Sequence, residues 1–199
     1  MPKCLMKFWT IPTIMTWTRI IAIPLIVGVF YLDIAQTERN WIASALFVIF
    51  AATDWLDGFL ARKLNQTSAF GAFLDPVADK LMVAAALIIL VQLGRVDAVI
   101  ALIIIGREIA ISALREWMAQ LGDTKSIAVS FLGKLKTATQ MVAIPMLLYH
   151  DNLGPVSAQV VGTWLIYLAA VLTLISMGYY LKAALPSFTK NRGKSGGGE

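Results

Sequence analysis

Asp54-Trp55-Leu56-Asp57-Gly58-Phe59-Leu60-Ala61-Arg62, continued at Gly71, Asp75 and Asp79, puts four carboxylates among long apolar segments. Helical spacing places Asp54 and Asp57 on one face with Gly58 and Ala61, and sets Asp75 and Asp79 one turn apart on a second face. Opposed, two such faces make an acidic pocket. Ionisable groups inside membrane segments cost roughly 2.5 to 3.5 kcal/mol each on insertion scales, so four persist only with something to neutralise them. A divalent cation does that, and oxygen-only donors with no nearby His or Cys favour Mg²⁺ or Mn²⁺ over Zn²⁺. Four carboxylates are enough for two metal ions.

Working outward, the 199 residues are 58% hydrophobic and 15% charged, with a mean hydropathy of +0.73, which excludes an ordinary soluble domain. The expectation is an all-α, polytopic membrane protein. A net charge of +5 and a pI near 9.4 raise the question of nucleic acid, but the basic residues are scattered between apolar segments, which suits anionic lipid headgroups instead. Cys4 is the single cysteine, so an internal disulfide and a thiolate metal site are both excluded.

Residues 1–10, with Lys3, Lys7, Phe8 and Trp9, form an interfacial lead-in. The apolar run Ile11 to Leu32 is too long for a signal-peptide core and has no small-residue cleavage site after it, so it is a first membrane helix, loosened at Pro24. Asp33 to Asn40 is a polar loop, and the second helix runs from Trp41 to about Arg62. A turn over Asn65 to Phe70 leads to a third helix that has Pro76 in its first turn and ends near Leu93. The fourth spans Ala98 to about Leu121, the fifth Leu132 to about Tyr149 and the sixth Ala158 to about Leu185. Residues 1–185 are thus one six-span domain, and 186–199 a basic, Gly-rich tail. Lys3, Lys7, Arg62, Lys63, Lys125, Lys134, Lys136, Lys182, Lys190, Arg192 and Lys194 fall on one side against Arg39 and Arg95 on the other. Both termini and the acidic stretch are therefore expected at the cytoplasmic face.

Asp-x2-Asp-Gly-x2-Ala-Arg-x8-Gly-x3-Asp-x3-Asp resembles the signature of the CDP-alcohol phosphotransferases at all eight fixed positions from Asp54 to Asp79. Flanking residues Ile11-Pro12-Thr13, Arg19, Pro24, Gly106-Arg107-Glu108, Arg115-Glu116-Trp117 and Gly133-Lys134-Leu135-Lys136-Thr137 resemble the bacterial members that use glycerol 3-phosphate. The resemblance implies transfer of the phosphatidyl group from CDP-diacylglycerol to sn-glycerol 3-phosphate by a homodimer in the bacterial cytoplasmic membrane. By the same resemblance Asp54 and Asp75 each bridge two divalent cations, Asp57 completes one and Asp79 the other, and Asp79 is the base. Gly58, Arg62 and a residue at the position of Ser68 contact the CDP part of the donor, while Ala61 and Gly71 allow close approach of base and pyrophosphate. The family's Pro-Asn-x2-Thr segment reads Pro12-Thr13-Ile14-Met15-Thr16 here, which removes the Asn contact and leaves Thr16.

A dianionic acceptor needs cations. Arg107 and Arg115, two turns apart, with Lys134 or Lys136, suit its phosphate. Residues two apart on a helix diverge by about 200°, so the two lysines do not both face it. Against this stands internal pairing, of Arg107 with Glu108 or Glu116 and of Arg115 with Glu116 or Asp123, although adjacent helical residues do not face each other. Arg19 either snorkels to the headgroups or meets a phosphate inside the bundle. His150 lies in an outer loop and carries no assigned role. Two rival readings are a family member with another acceptor (serine, inositol phosphate or phosphatidylglycerol) and a divalent-cation transporter, which Arg62 beside the acidic stretch opposes.

Overall fold

The computed structural model describes the backbone of residues 11–64, 69–120 and 131–192; side chains at 11–16, 54–73, 75–76, 115, 119–120, 131–132, 134 and 183–192 lie outside that description. Six helices appear among the described residues: α1 (Ile11–Val29), α2 (Gln36–Leu64), α3 (Ala69–Gln92), α4 (Ala98–Gln120), α5 (Phe131–Tyr149) and α6 (Ala158–Arg192). Between α5 and α6 sits a hairpin of β1 (Asn152–Leu153) and β2 (Val156–Ser157), turned at Gly154 with φ of 63°. These two short strands are an addition to the all-α expectation.

The helices interlock around residues that each buries. Ile26 of α1, Phe47 of α2, Met82 and Leu87 of α3, Ile104 of α4, Ile144 and Leu147 of α5 and Ile166 of α6 form one core. α5 and α6 share an extensive interface, α1 packs on both α2 and α3, and α4 packs on α6. The approach of α6 to α5 is close at Gly162, where a Cβ would stand 2.8 Å from the Leu147 Cγ. Apolar side chains also point outward, with Ile21 at 55%, Ile88 at 59%, Leu102 at 70% and Trp164 at 73% exposure. Among the described residues one helical segment, Ala158–Lys182, is long and apolar enough by length and composition to cross a bilayer.

Four helix boundaries differ from expectation: α1 ends at Val29, short of Leu32, and three others shift as follows. α2 begins at Gln36 rather than Trp41, because its polar first turn has partners: Gln36 donates to the Asn40 Oδ1 at 3.0 Å, and Glu38 sits where the helix dipole favours a negative charge. α3 begins at Ala69, so Pro76 lies in its body instead of its first turn, a placement that membrane helices accommodate. α6 continues through Pro186 to Arg192, into the segment expected to be a tail.

The ends are capped by local chemistry. Gly94, with φ of 68°, closes α3, where its N–H donates to the Val91 carbonyl and that of Arg95 to the Leu90 carbonyl. Asp97 then accepts the Val99 N–H at 2.7 Å and starts α4. At the same end Arg95 reaches the Leu147 and Leu148 carbonyls at 3.0 and 2.7 Å and the Asn40 Oδ1 at 2.7 Å. One guanidinium thereby joins α2, α5 and the α3–α4 turn.

Candidate active site

Arg19 and Asp79 meet where α1 packs on α3. The Arg19 Nη1 donates to the Asp79 Oδ1 at 2.6 Å, with the guanidinium 5% and the carboxylate 41% exposed. Arg19 therefore turns into the bundle rather than out to headgroups. A guanidinium so buried needs an anionic partner, and a charge-assisted bond of this length is a strong one.

The second part of the site is built from α4, α5 and α6. Arg107 on α4 donates from Nη2 to the Ser176 Oγ at 3.2 Å, and Ser176 donates onward to the Thr173 carbonyl at 2.9 Å. Its guanidinium carbon lies 5.5 Å from the centroid of the Tyr180 ring, inside the range of about 6 Å for a cation–π contact. From Nη1 it also donates to the Glu108 Oε1 at 3.3 Å, and the same oxygen accepts from the Lys136 Nζ. Sequence neighbours pair here after all, because Arg107 and Glu108 reach into a common space.

That space is a cavity of about 240 Å³. Its polar lining is Asp79 and Lys80 of α3, Arg107, Glu108 and Ser112 of α4, and Lys136, Thr137 and Gln140 of α5. The volume lies just below the roughly 300–1,000 Å³ typical for drug-sized ligands, so it suits a small polar molecule rather than a second lipid. Asp79 and the α4–α5 cations thus face one chamber.

Of the remaining candidates only the backbone is described. Thr16 lies in α1; Asp54, Asp57, Gly58, Ala61 and Arg62 lie in α2; Gly71 and Asp75 lie in α3; Arg115 and Lys134 lie in α4 and α5. Ser68 falls outside the described residues. Lys136, fully buried in the cluster, is the lysine of that pair whose position is described. Among the described residues no three His, Cys, Asp or Glu side chains come together. The donor set still fits a hard divalent cation: α2 carries two carboxylates three apart, α3 two carboxylates four apart, and Asp79 is partly open to solvent.

The chain matches the CDP-alcohol phosphatidyltransferase family over residues 9–175. It belongs to that family. It is 50% identical over 178 residues to the CDP-diacylglycerol–glycerol-3-phosphate 3-phosphatidyltransferase of Shigella flexneri serotype 5b (strain 8401), covering 88% of this chain and 95% of that protein. The proteins of the same name from Salmonella choleraesuis (strain SC-B67) and Escherichia coli (strain K12) are each 49% identical over the same shares.

Sequence reasoning about this phosphatidyltransferase passed over Ser176 and Tyr180 and treated Glu108 only as a pairing partner. A signal existed in α6, where Thr173, Ser176 and Tyr180 recur at helical spacing and are all buried within an otherwise apolar helix. Buried polar groups at such spacing need partners on a neighbouring helix.

Proposed function

We propose that this protein transfers the phosphatidyl group from CDP-diacylglycerol to sn-glycerol 3-phosphate, yielding phosphatidylglycerophosphate and CMP. The observation that carries the reading is the chamber where Asp79, paired with Arg19, faces Arg107 and Lys136. A hydroxyl to be deprotonated and a phosphate to be held are then served by groups lining one small volume. The names of the relatives point to the same two substrates.

In this reading Asp79 takes the proton of the acceptor hydroxyl, and Arg19 fixes the carboxylate that does so. Arg107 and Arg115 form the acceptor-phosphate side together with Lys136, which lines the cavity and takes the lysine place that was open between Lys134 and Lys136. Gly58, Ala61, Arg62, Ser68, Gly71 and Thr16 form the donor side, and Arg19 stays close enough to the base to meet a passing phosphate. Two divalent cations, Mg²⁺ or Mn²⁺, held by Asp54, Asp57, Asp75 and Asp79, supply charge neutralisation at the phosphoryl group when bound.

Outward apolar side chains on successive helices support six membrane spans. Lys and Arg placement supports cytoplasmic termini, a site at the cytoplasmic face of the bacterial inner membrane, and direct access for soluble acceptor. A homodimer completes the proposal.

The test is CMP release by purified protein in Mg²⁺ or Mn²⁺, with glycerol 3-phosphate offered beside serine, inositol phosphate and phosphatidylglycerol. Turnover is expected with glycerol 3-phosphate alone, and Asp79→Asn should lower it by at least about 10²-fold, the lower end for a lost general base. Turnover with a different acceptor would refute the role given to Arg107 and Lys136.

A further inference from the structure

Glu108 stands between the two cations that the proposed acceptor phosphate needs. Its Oε1 accepts from Arg107 and from Lys136 at once, within the wall of the cavity that also contains Asp79. The three groups differ in how firmly they are held. Arg107 is anchored from behind by Ser176 and Tyr180 of α6, and the Lys136 side chain is 2% exposed. Glu108 is 24% exposed, and a long carboxylate chain at the edge of a cavity is able to rotate into water.

Charge balance gives the arrangement a direction. Arg107 and Lys136 carry two positive charges, and Glu108 offsets one of them. A dianionic phosphate entering beside Glu108 leaves the cluster with an excess negative charge in a poorly hydrated place, whereas a phosphate that replaces Glu108 brings it to neutrality. Both cations offer several donors, and a phosphate presents more acceptor oxygens than a single carboxylate.

We propose that the Glu108 carboxylate is a displaceable stand-in for the acceptor phosphate, holding Arg107 and Lys136 together until glycerol 3-phosphate takes its place. This rests on the reading of that cavity as the acceptor site. Glu108 is then a specificity-determining residue: an acceptor without a phosphate cannot compensate two buried cations for the carboxylate they lose. Affinity for the correct acceptor is lowered by the competition, and wrong acceptors are excluded by it.

The sign of the effect makes the idea testable, since removing a residue that merely supports a site weakens binding and removing a competitor strengthens it. In Glu108→Gln the KM for glycerol 3-phosphate should fall by about three- to tenfold, the scale of a partly exposed ion pair coupled to a second charge. Melting in detergent should show a lower Tm without ligand and a larger rise than wild type on adding glycerol 3-phosphate or inorganic phosphate. Glu108→Asp, which keeps the charge but shortens its reach, should move the same way by less and provides a folded variant if Glu108→Gln is lost. Glu116→Gln, at an exposed position on the same helix, should match wild type. A raised or unchanged KM with a phosphate-induced shift no larger than wild type overturns the proposal. Arg107→Lys separates the two levels of argument: if it leaves the glycerol 3-phosphate KM and thermal shift at wild-type values, the acceptor site itself is wrongly assigned. If it weakens both while the Glu108 variants do nothing, only the stand-in role fails.

Discussion

Two arginines in this bundle face opposite situations. Arg95, at the end where α3 turns into α4, donates to two carbonyls at the close of α5 and to the Asn40 side chain, all of them neutral oxygens of the protein itself. Arg107, toward the other end, donates to a serine hydroxyl and a glutamate at the edge of a cavity. The first network is closed: its acceptors belong to helix ends and to a residue 3% exposed, so no small molecule can replace them. The second is open, because one of its anions borders a space that a ligand can enter. In the proposed reading the same side chain is a staple in one place and a receptor in the other, and what decides is whether its partner can leave.

That contrast breaks most visibly at Lys136. Lys136→Met removes a cation from the open network while keeping most of the buried volume, and the KM for glycerol 3-phosphate should rise about 10- to 100-fold. This is the scale of one charge-assisted hydrogen bond of roughly 1.5 to 3 kcal/mol. Steady-state kinetics with the acceptor varied at saturating donor give the value, and the donor KM should barely change. A normal acceptor KM would mean that the cavity serves another purpose.

Arg95→Met tests the closed side, with the opposite outcome. Loss of three bonds from one guanidinium should cost about 2 to 4 kcal/mol of stability, read as a lowered Tm in detergent, while the acceptor KM of the surviving folded enzyme stays near wild type. If instead Arg95→Met raised the acceptor KM and left Tm alone, the division between staple and receptor would be wrong. Burial lowers the Arg95 pKa from its ordinary value and Asp151 partly opposes this, but a guanidinium remains charged at any working pH.

The same contrast accounts for what was legible beforehand. Long apolar runs gave the helix interiors, because burying a backbone inside an apolar environment leaves few alternatives to a helix. The acidic stretch from Asp54 to Asp79 stood out, since charges are costly in such surroundings, and its spacing carried the family resemblance that the match over residues 9–175 bears out. Less legible were features whose partner lies far along the chain. Gln36 to Asn40 looked like a loop because the guanidinium that accounts for Asn40 is 55 residues away. Ser176 passed as an ordinary residue of an apolar helix because its arginine is 69 residues away on α4. Helical periodicity allowed only one of Lys134 and Lys136 to face the acceptor, but which of them depended on how α5 is rotated against α4. Glu108 was discounted by the rule that adjacent helical residues diverge; two long side chains converging on a cavity escape that rule.

The smallest expected effect lies within the closed network and concerns His150, which ends α5 in a left-handed conformation with φ of 63°. Its pKa is lowered below 6.5, first by burial and then by Arg95, with Asp151 acting in the other direction. The unfolded chain therefore takes up a proton near pH 6.5 that the folded chain resists, so protonation favours unfolding. Stability contributed here is complete above about pH 6.5 and declines as pH falls from there towards the lower folded value. Asn tolerates the left-handed backbone and does not titrate, which makes His150→Asn the appropriate comparison. Wild type should lose more Tm than His150→Asn between pH 7.5 and 5.5, with both retaining the same acceptor KM at pH 7.5. An equal loss in the two proteins would assign the acid sensitivity to carboxylates elsewhere, and a changed KM would mean that the end of α5 is coupled to the cavity that Lys136 lines.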